Sequence, residues 1–409
     1  MNRVLVIGGG AAGMMSAVFA ARAGAEAALL EPNERLGKKL NITGKGRCNV
    51  TNDSACEELI AHVYRNGKFL YSSFSRWDGR DTIAFFESLG VPLKVERGKR
   101  VFPVSDRSFD ISAALERELR RLNVRLIRDR AEALIVKDGR VSGAKGGRDR
   151  YGADAVVVAT GGVSYPATGS TGDGYRFARQ VGHTIVTPRA SLVPLESDDP
   201  DCAAMQGLSL RNVALRVRDQ KNKVVFEELG ELLFTHFGVS GPLVLSASAR
   251  MRDFERNSYR LVIDLKPALD EKKLDERLLR ELAARNNQDF GNVLGALVPR
   301  SMIPVIVRRT GIPAASKANS ITKEQRRRLL ETLKAFSVAV TGPRGVEEAI
   351  VTSGGLKVGE VDPNTMASKL IPGLYFAGEV LDVDACTGGF NLQIAWATGR
   401  AAGDAAAKQ

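Results

Sequence analysis

The chain has 409 residues, of which 44% are hydrophobic and 26% are charged, and this composition excludes a disordered or fibrous protein. At roughly 150 residues per domain, the length predicts two or three domains. Lysine and arginine exceed aspartate and glutamate by 12, which permits contact with nucleic acid or anionic ligands but does not define a site. Because the basic residues are spread along the chain, we expect solvated surfaces, and this argues against a nucleic-acid partner.

The cysteines and histidines argue against disulfide and metal sites. None of the four cysteines belongs to a C-x-x-C pair, so neither a disulfide framework nor a dithiol redox centre is predicted. The three histidines stand far apart, which gives no support for zinc. Thiols in this pattern fit a reducing cytoplasm. The uncharged run at residues 4–21 contains four glycines that would break a membrane helix, so we predict a cytoplasmic protein without a membrane segment.

The first part of the chain alternates between strand and helix patterns. An apolar strand at 4–7, a helix at 12–23 and a second strand at 27–30 form a βαβ unit, whose parallel sheet needs cover on both faces. Further helices are predicted at 80–89 and 109–122, and further strands at 124–127, 131–136, 141–144 and 155–159.

The pattern changes from about residue 191. Strands are predicted at 208–217, 224–228 and 259–265, helical segments at 270–300 and 322–334, and a returning strand at 337–341. Thr322 and Gln325 have the spacing of a capping box. The last sixty residues return to the first pattern. We therefore predict an α/β domain of residues 1–190 and 346–409, interrupted by a β-rich domain of residues 191–268 and 336–345 and a helical domain of residues 269–335.

A glycine-rich turn follows the first strand directly. Gly8, Gly10 and Gly13 form a G-x-G-x-x-G pattern, in which the first glycine allows the tight turn and the second a close approach to pyrophosphate. The third lets the helix pack on the strand, and the helix N-terminus offers free N–H groups to phosphates. Glu31 ends the second strand, where an acid accepts ribose hydroxyls. Together these features predict dinucleotide binding.

Two later segments favour FAD over NAD. Residues 373–379 form a strand that ends in Gly378 and Glu379, a pattern similar to the second FAD fingerprint, in which the acid holds a ribityl hydroxyl. Residues 387–392 open a helix whose first N–H groups, from Asn391 and Leu392, are expected to face the flavin pyrimidine edge. There, we expect Gly389 to be needed because a Cβ would clash with the ring. Residues 159–161 add a third element beneath the cofactor.

Residues 38–52, 168–174 and 378–384 resemble the signature segments of the BaiN/YhiN-like flavoprotein family, which includes aminoacetone-oxidase-like and bile-acid dehydro-intermediate reductase members. The resemblance covers essentially the whole chain. It implies non-covalent FAD in a discontinuous Rossmann-type α/β domain of the glutathione-reductase-like kind, with inserted β-barrel-like and helical domains that close a substrate cleft. The residues that it implies for FAD binding are Gly8, Gly10, Ala12, Gly13, Glu31, Lys39, Gly44, Arg47, Cys48, Ala131, Thr160, Gly161, Gly378, Glu379, Gly389, Asn391 and Leu392. Lys45 departs from the family pattern, since many relatives have glycine there.

Several side chains are candidates for the substrate side of the flavin. They are Arg47, Cys48, Asn49, Tyr165, His236, Asp384 and Cys386. Arg47 could hold a carboxylate or the flavin, or belong to an ion pair. Cys386 could be a redox or acid group, or a small packed residue. His236 could act in acid–base chemistry or hold a domain junction through hydrogen bonds.

The function that follows is that of an FAD-dependent oxidoreductase, in which hydride passes between flavin N5 and a small organic substrate, an enone, a steroid-like compound or an amine. No second G-x-G-x-x-G follows a strand, so we expect NADH or NADPH to dock transiently where the substrate binds. Two alternatives stay open: an RNA-associated, tRNA-modifying flavoprotein, and a non-catalytic flavin redox sensor. The sequence does not identify the residue that handles the proton or the oligomeric state.

Overall fold

The computed structural model describes residues 1–252 and 254–409. The chain divides into two compact units, the first formed by Met1–Ser191 and Gly345–Gln409 and the second by Leu192–Arg344. None of the helices in the described residues combines the length and apolarity that a membrane span needs. The uncharged run at 4–21 instead forms a strand, a turn and a helix of the first unit.

The elements are numbered along the whole chain. The strands are β1 (Arg3–Ile7), β2 (Glu26–Leu30), β3 (Thr51–Asn52), β4 (Val63–Arg65), β5 (Leu93–Glu96), β6 (Arg100–Pro103), β7 (Arg125–Ile127), β8 (Ala131–Lys137), β9 (Arg140–Gly146), β10 (Arg150–Gly152), β11 (Ala155–Val158), β12 (Ile185–Ser191), β13 (Leu195–Glu196), β14 (Ser209–Asp219), β15 (Val224–Thr235), β16 (Gly238–Ser240), β17 (Tyr259–Asp264), β18 (Phe336–Val340), β19 (Gly342–Pro343), β20 (Val351–Leu356), β21 (Leu374–Phe376) and β22 (Asp384–Ala385). The helices are α1 (Ala11–Arg22), α2 (Cys56–Ala61), α3 (Tyr71–Arg76), α4 (Gly79–Ser88), α5 (Ser108–Arg121), α6 (Asp173–Gln180), α7 (Pro200–Ala204), α8 (Pro242–Ser248), α9 (Glu271–Ala284), α10 (Phe290–Leu294), α11 (Ile303–Thr310), α12 (Lys323–Lys334) and α13 (Phe390–Ala406).

The first unit is built on a parallel five-stranded sheet in the order β21-β11-β1-β2-β7. Every residue of β11 is buried, as expected for a strand covered on both faces. Helices α1 and α13 pack closely because small residues line their contact: a Cβ at Gly399 would lie 2.5 Å from the Ala12 carbonyl oxygen. The Ser16 hydroxyl contacts the carbonyl oxygens of Ala12 (2.8 Å) and Gly399 (2.9 Å). The predicted Rossmann-type fold is confirmed.

Smaller sheets surround this core. Strands β8, β9 and β10 form an antiparallel sheet, β5 and β3 pair on either side of β6, β12 pairs with β20, and β4 pairs with β22. Helix α4 begins at a capping box in which Asp78 accepts from the Asp81 backbone N–H, and the Asp81 side chain accepts from the Asp78 N–H. The very short strands β3, β4 and β22 have no period of their own and were absent from the sequence-based prediction.

The second unit contains one antiparallel sheet of seven strands in the order β18-β17-β14-β15-β16-β13-β19. Strand β15 continues past residue 228, where the prediction ended, because β14 pairs with it on both sides of a bulge. The segment 270–300, predicted as helical, contains two helices, α9 and α10. Helix α12 begins at the capping box of Thr322 and Gln325 that the spacing predicted.

Candidate functional site

At the turn between β1 and α1, two glycines of the G-x-G-x-x-G pattern are required by close backbone contacts and one borders open space. Gly8 has φ +106°, and a Cβ there would lie 2.5 Å from the Ala159 carbonyl oxygen. A Cβ at Gly13 would lie 1.8 Å from the Gly8 carbonyl oxygen, so helix and strand require glycine at both positions. A Cβ at Gly10 would meet no atom of the described residues within 4 Å. The turn therefore leaves open space beside Gly10, as the predicted approach of a pyrophosphate requires.

The N-terminus of α1 is suited to an anion. Gly10 is its N-cap, the first turn has no acidic residue, and no side chain of the described residues caps it. Its first N–H groups and the positive end of its dipole therefore face the same space. Glu31 is held beside the turn, because its carboxylate accepts hydrogen bonds from the Gly9 N–H (2.6 Å), the Asn33 N–H (2.9 Å) and the Asn33 side chain (2.7 Å). A carboxylate so placed keeps acceptor capacity for ribose hydroxyls.

The parallel register brings the other predicted nucleotide contacts to the same edge of the sheet. Strand β1 pairs with β2 and β11, and β11 pairs with β21, so their carboxyl ends lie side by side. Thr160 and Gly161 follow β11, and Gly378 and Glu379 follow β21. The Thr160 hydroxyl is buried without a hydrogen-bond partner among the described residues. Ala131, which the family resemblance implies for FAD binding, is the buried first residue of β8.

Glu379 is held by three hydrogen bonds from the chain. Its carboxylate accepts from the Lys39 ammonium (2.6 Å), the Ser164 hydroxyl (2.8 Å) and the Thr352 N–H (2.8 Å). Burial alone would raise the pKa of Glu379, but the charge and hydrogen bond of Lys39, with the other two donors, outweigh burial and lower the pKa. Glu379 therefore stays ionised, and the ribityl contact predicted for it would share the carboxylate with three donors of the chain.

The loop after Lys39 is tightly wound. Within Leu40–Gly46, Gly44 and Lys45 have φ +57° and +59°, so Lys45 adopts a backbone conformation that favours glycine. Cys48 also has a positive φ, and its side chain is fully buried. Burial raises the pKa of the Cys48 thiol to about 12, although a hydrogen bond with Thr43 partly opposes this. Cys48 therefore supplies no thiolate near neutral pH.

Arg47 belongs to an ion-pair cluster. Its guanidinium contacts the carboxylates of Glu96 and Asp106, the latter at 2.6 Å, and lies 4.1 Å from the centre of the Phe102 ring. Of the alternatives that the sequence left open, the structure favours the ion pair, because two carboxylates already compensate this charge. A role toward the flavin or a substrate carboxylate stays a prediction.

The N-terminus of α13 is held by the chain itself. Gly389 has φ +98°, and a Cβ there would lie 2.3 Å from the carbonyl carbon and oxygen of Thr51. A side chain at this position would therefore meet the backbone of β3, and the expected closeness of Gly389 to the flavin ring stays a prediction. The Asn49 amide, oriented to satisfy its neighbours, donates to the carbonyl oxygens of Thr51 and Val101 and accepts from the Gly389 N–H at 3.0 Å. Asn49, a substrate-side candidate, thus positions this helix.

Asn391 fixes the segment that precedes α13. Its amide accepts from the Ala385 N–H (3.0 Å) and donates to the carbonyl oxygens of Ala385 (2.9 Å) and Cys386 (3.1 Å). The side chain of Asn391 is therefore occupied within the chain, while its backbone N–H and that of Leu392 lie in the first turn of α13. This turn contains no acidic residue. Its N–H groups and dipole favour negative charge nearby, as predicted for a flavin edge.

The remaining substrate-side candidates lie in different places. Asp384 is buried and accepts hydrogen bonds from the hydroxyls of Ser191 and Ser353, each at 3.0 Å. Tyr165, with φ +51°, precedes a short turn of the first unit. His236 is exposed in the turn between β15 and β16 of the second unit, where its ring contacts Phe237. Only Asp384 and Cys386 adjoin the N-terminus of α13.

A histidine that the sequence did not single out does lie at this terminus. His62 stacks on the ring of Phe390, the first residue of α13, with the ring centres 4.4 Å apart and the planes at 6°. The Cys386 N–H donates to the His62 carbonyl oxygen at 2.9 Å. Nothing in the spacing of these residues could have revealed the contact, because the pairing of the short strands β4 and β22 creates it.

The sheet, the glycine turn with Glu31 and the Gly378–Glu379 edge define a Rossmann-type FAD-binding protein. The chain belongs to the family described as the HI0933-like protein Rossmann domain, whose model matches residues 2–405. The predicted family resemblance and the prediction of an FAD-dependent oxidoreductase are thereby confirmed.

Two curated relatives align along nearly the whole chain. The chain is 34% identical to the 3-dehydro-bile acid delta(4,6)-reductase of Clostridium scindens, over 100% of both proteins. It is 33% identical to the ribosomal RNA dihydrouridine synthase of Escherichia coli, over 96% of this chain and 95% of the relative. Both similarities span the two units of the chain.

Two solved structures share the fold. The 3-ketosteroid delta1-dehydrogenase from Sterolibacterium denitrificans, in complex with 1,4-androstadiene-3,17-dione, aligns over 100% of both chains with a TM-score of 0.55 and 13% identity. A flavocytochrome c3 fumarate reductase aligns over 100% of this chain and 78% of its own with a TM-score of 0.51 and 18% identity. At these identities the two structures show a common fold.

Proposed function

We propose that this protein is an FAD-dependent reductase of carbon–carbon double bonds conjugated to a carbonyl group, with NADH or NADPH as electron donor. The names of the two curated relatives support a shared chemistry. A 3-dehydro delta(4,6) steroid has a ketone conjugated to two double bonds, and dihydrouridine is uridine whose ring double bond, conjugated to a carbonyl, has been reduced. In the reduction of the steroid and in that of uridine, hydride adds to an electron-poor carbon of the substrate's conjugated system.

The observation that carries the proposal is the N-terminus of α13. It has no acidic residue in its first turn and is fixed against β3 by Gly389 and Asn49. Fixed N–H groups of this kind would stabilise negative charge on the pyrimidine edge of reduced flavin, the form that gives hydride to a conjugated alkene. Bound FAD in its reduced form would supply the hydride from N5.

The remaining residues of the sheet edge fit the parts of FAD. The α1 N-terminus and the space beside Gly10 suit the pyrophosphate, and Glu31 suits the adenosine ribose. Lys39 and Glu379 form an ion pair without net charge at the carboxyl end of β21. A ribityl hydroxyl there would have both a hydrogen-bond donor and an acceptor. The ion pairs of Arg47 and the burial of Cys48 favour structural roles for these two residues rather than roles in the chemistry.

A uracil base in RNA is the second candidate substrate. The net charge of +12 favours it, since a polyanionic substrate gains from a cationic protein, and one relative carries the name of a ribosomal RNA dihydrouridine synthase. The chemistry is that of the first candidate, so only the substrate distinguishes the two.

Anaerobic stopped-flow spectroscopy of the purified holoenzyme tests the proposal. NADH or NADPH should bleach the flavin, and the reduced enzyme should then be reoxidised by a 3-oxo-Δ4,6 steroid or should form dihydrouridine in unmodified ribosomal RNA, detected by mass spectrometry of nucleosides. Glu31→Ala is the control, because this variant should bind FAD more weakly and should lose activity in proportion to the FAD that it loses. Flavin that neither nucleotide reduces but an amine does, or reduced flavin that only oxygen reoxidises, would refute a conjugated-alkene reductase.

A further inference from the structure

We propose that His62 is the proton donor of this site, acting through Nε2, and that the Glu58 carbonyl oxygen sets its tautomer. The inference rests on the proposed function, because hydride addition to a conjugated alkene requires a proton at the neighbouring carbon. No candidate from the sequence was assigned this task.

The fold carries His62 to the N-terminus of α13 from a distant part of the chain. His62 is the C-cap of α2 and immediately precedes β4, which pairs with β22 through Val63 and Ala385. Its ring, which is half-buried, stacks on Phe390, and its carbonyl oxygen accepts from the Cys386 N–H. The imidazole is thus fixed by contacts on its face and on its backbone, as a positioned acid must be.

The hydrogen bond of the ring determines which nitrogen can act. Nδ1 lies 2.8 Å from the Glu58 carbonyl oxygen. A carbonyl oxygen can only accept, so Nδ1 must carry a proton in both the neutral and the charged ring. Nε2 is then the atom that gains and loses the second proton. Glu58 itself is ion-paired with Lys99 at 2.6 Å, so its carboxylate is compensated.

Other titratable side chains of the chain are less suited. The Cys48 thiol and the Tyr175 hydroxyl are buried, and burial raises the pKa of each. Both ring nitrogens of His183 have partners, Glu360 at 3.1 Å and Ser368 at 2.7 Å. His236 is exposed on the second unit. Cys386 remains the rival of His62, because it is half-buried and precedes the same helix.

The proposed step balances as follows. The β-carbon of the substrate forms a new C–H bond with the hydride from reduced flavin, and the electron pair of the double bond moves toward the carbonyl group. The Nε2–H bond of the imidazolium breaks, and its proton forms the C–H bond at the α-carbon. The alkene is reduced, the flavin is oxidised, and solvent returns a proton to the neutral ring.

The test separates protonation from flavin reduction. The holoenzyme, reduced anaerobically by NADPH or NADH, is mixed with cyclohex-2-enone or a 3-oxo-Δ4,6 steroid. His62→Asn, whose amide can still donate to Glu58, and His62→Gln should slow reoxidation roughly 100-fold or more, with a larger solvent isotope effect. Flavin reduction should stay at the wild-type rate. His236→Asn and Cys386→Ser are the matched controls, and both should be reoxidised at nearly the wild-type rate.

A second measurement does not depend on turnover. Only three histidines occur in the chain, so ring ¹⁵N labelling with assignment by substitution resolves each one. We expect His62 to be the Nδ1–H tautomer, and its ring signals to move when FAD binds and again when the enone is added, while those of His236 stay in place.

Each outcome bears on the proposal. Three results would overturn the role of His62 and leave the reductase in place. The first is that His62→Asn is reoxidised by the enone as fast as the wild type, and the second is that only Cys386→Ser slows reoxidation. The third is that FAD binding does not move the ring signals of His62. Loss of FAD from both His62 variants would make the residue structural and also overturn it. If neither cyclohex-2-enone nor the 3-oxo-Δ4,6 steroid reoxidises the reduced wild-type enzyme, the proposed reductase function is refuted for these substrates, and the role of His62 with it.

Discussion

The ion pair between Lys39 and Glu379 offers the sharpest test of the nucleotide edge. Lys39→Met keeps the side-chain length and removes the charge that faces the carboxylate at 2.6 Å. Removing one partner of a fully buried pair costs about 3–5 kcal/mol. Here the two side chains keep 22% and 20% of their exposure, and Glu379 keeps its bonds from Ser164 and Thr352. We therefore expect a loss of about 2 kcal/mol in the free energy of unfolding, below the fully buried range.

This loss should appear as a lower melting temperature of the first unit. For a domain of this size, about 1 kcal/mol corresponds to roughly 2–4 °C, so Lys39→Met should unfold about 4–8 °C lower in circular dichroism. Lys38→Met is the matched control, since the exposed Lys38 ammonium contacts only the Ala167 carbonyl oxygen among its described hydrogen bonds. If both variants unfold at the same temperature, the ion pair does not stabilise this edge.

The pH dependence of the difference has a definite sign. The folded-state pKa of Glu379 is lowered, so its contribution is fully present above the unfolded pKa of about 4.3 and is lost as the pH falls through the folded value. In Lys39→Met burial dominates, the pKa rises, and protonation relieves the unpaired charge. The stability difference between wild type and variant should therefore be largest near pH 7 and shrink steadily as the pH falls toward about 4 and below. A difference that grows on acidification would refute the assignment.

Three further outcomes follow from the site. Gly13→Ala should destabilise the first unit, because its Cβ would lie 1.8 Å from a carbonyl oxygen, whereas Gly10→Ala should keep the melting temperature of the FAD-free protein and weaken FAD binding, measured by flavin fluorescence. Glu31→Ala should weaken FAD binding by about 1–3 kcal/mol, and an unchanged dissociation constant would contradict its role. Cys48, with its buried thiol and raised pKa, should resist iodoacetamide in the folded protein at pH 8 and react after unfolding, as followed by mass spectrometry.

Local signals account for what the sequence could predict. The glycine turn, Glu31 and the apolar strands depend on neighbouring residues, and the structure places them as expected. A helix that opens at residues 387–392 is predicted for the same reason, and the structure has α13 there.

Long-range pairing accounts for what could not be predicted. The partners of Arg47 are Glu96 and Asp106, which only the fold brings near. The sequence predicts a need for glycine at position 389, but it does not reveal the contact with Thr51, because β3 is a strand of only two residues. His62 was overlooked because strands as short as β4 and β22 show no period, and only their pairing moves it to α13.

The packing of α13 on α1 has a consequence for how the chain is made. Residues 192–344, which form the second unit, are contiguous and are synthesised before β21 and α13 exist. The first unit must wait for both: β21 adds the edge strand beside β11, and Gly399 and Gly403 of α13 approach the backbone of α1 near Ala12 and Ser16. Such distant contacts form slowly. During translation the inserted unit can therefore complete its core first, while the sheet of the first unit lacks its edge strand β21, and α1 lacks its contact with α13, until the end of synthesis.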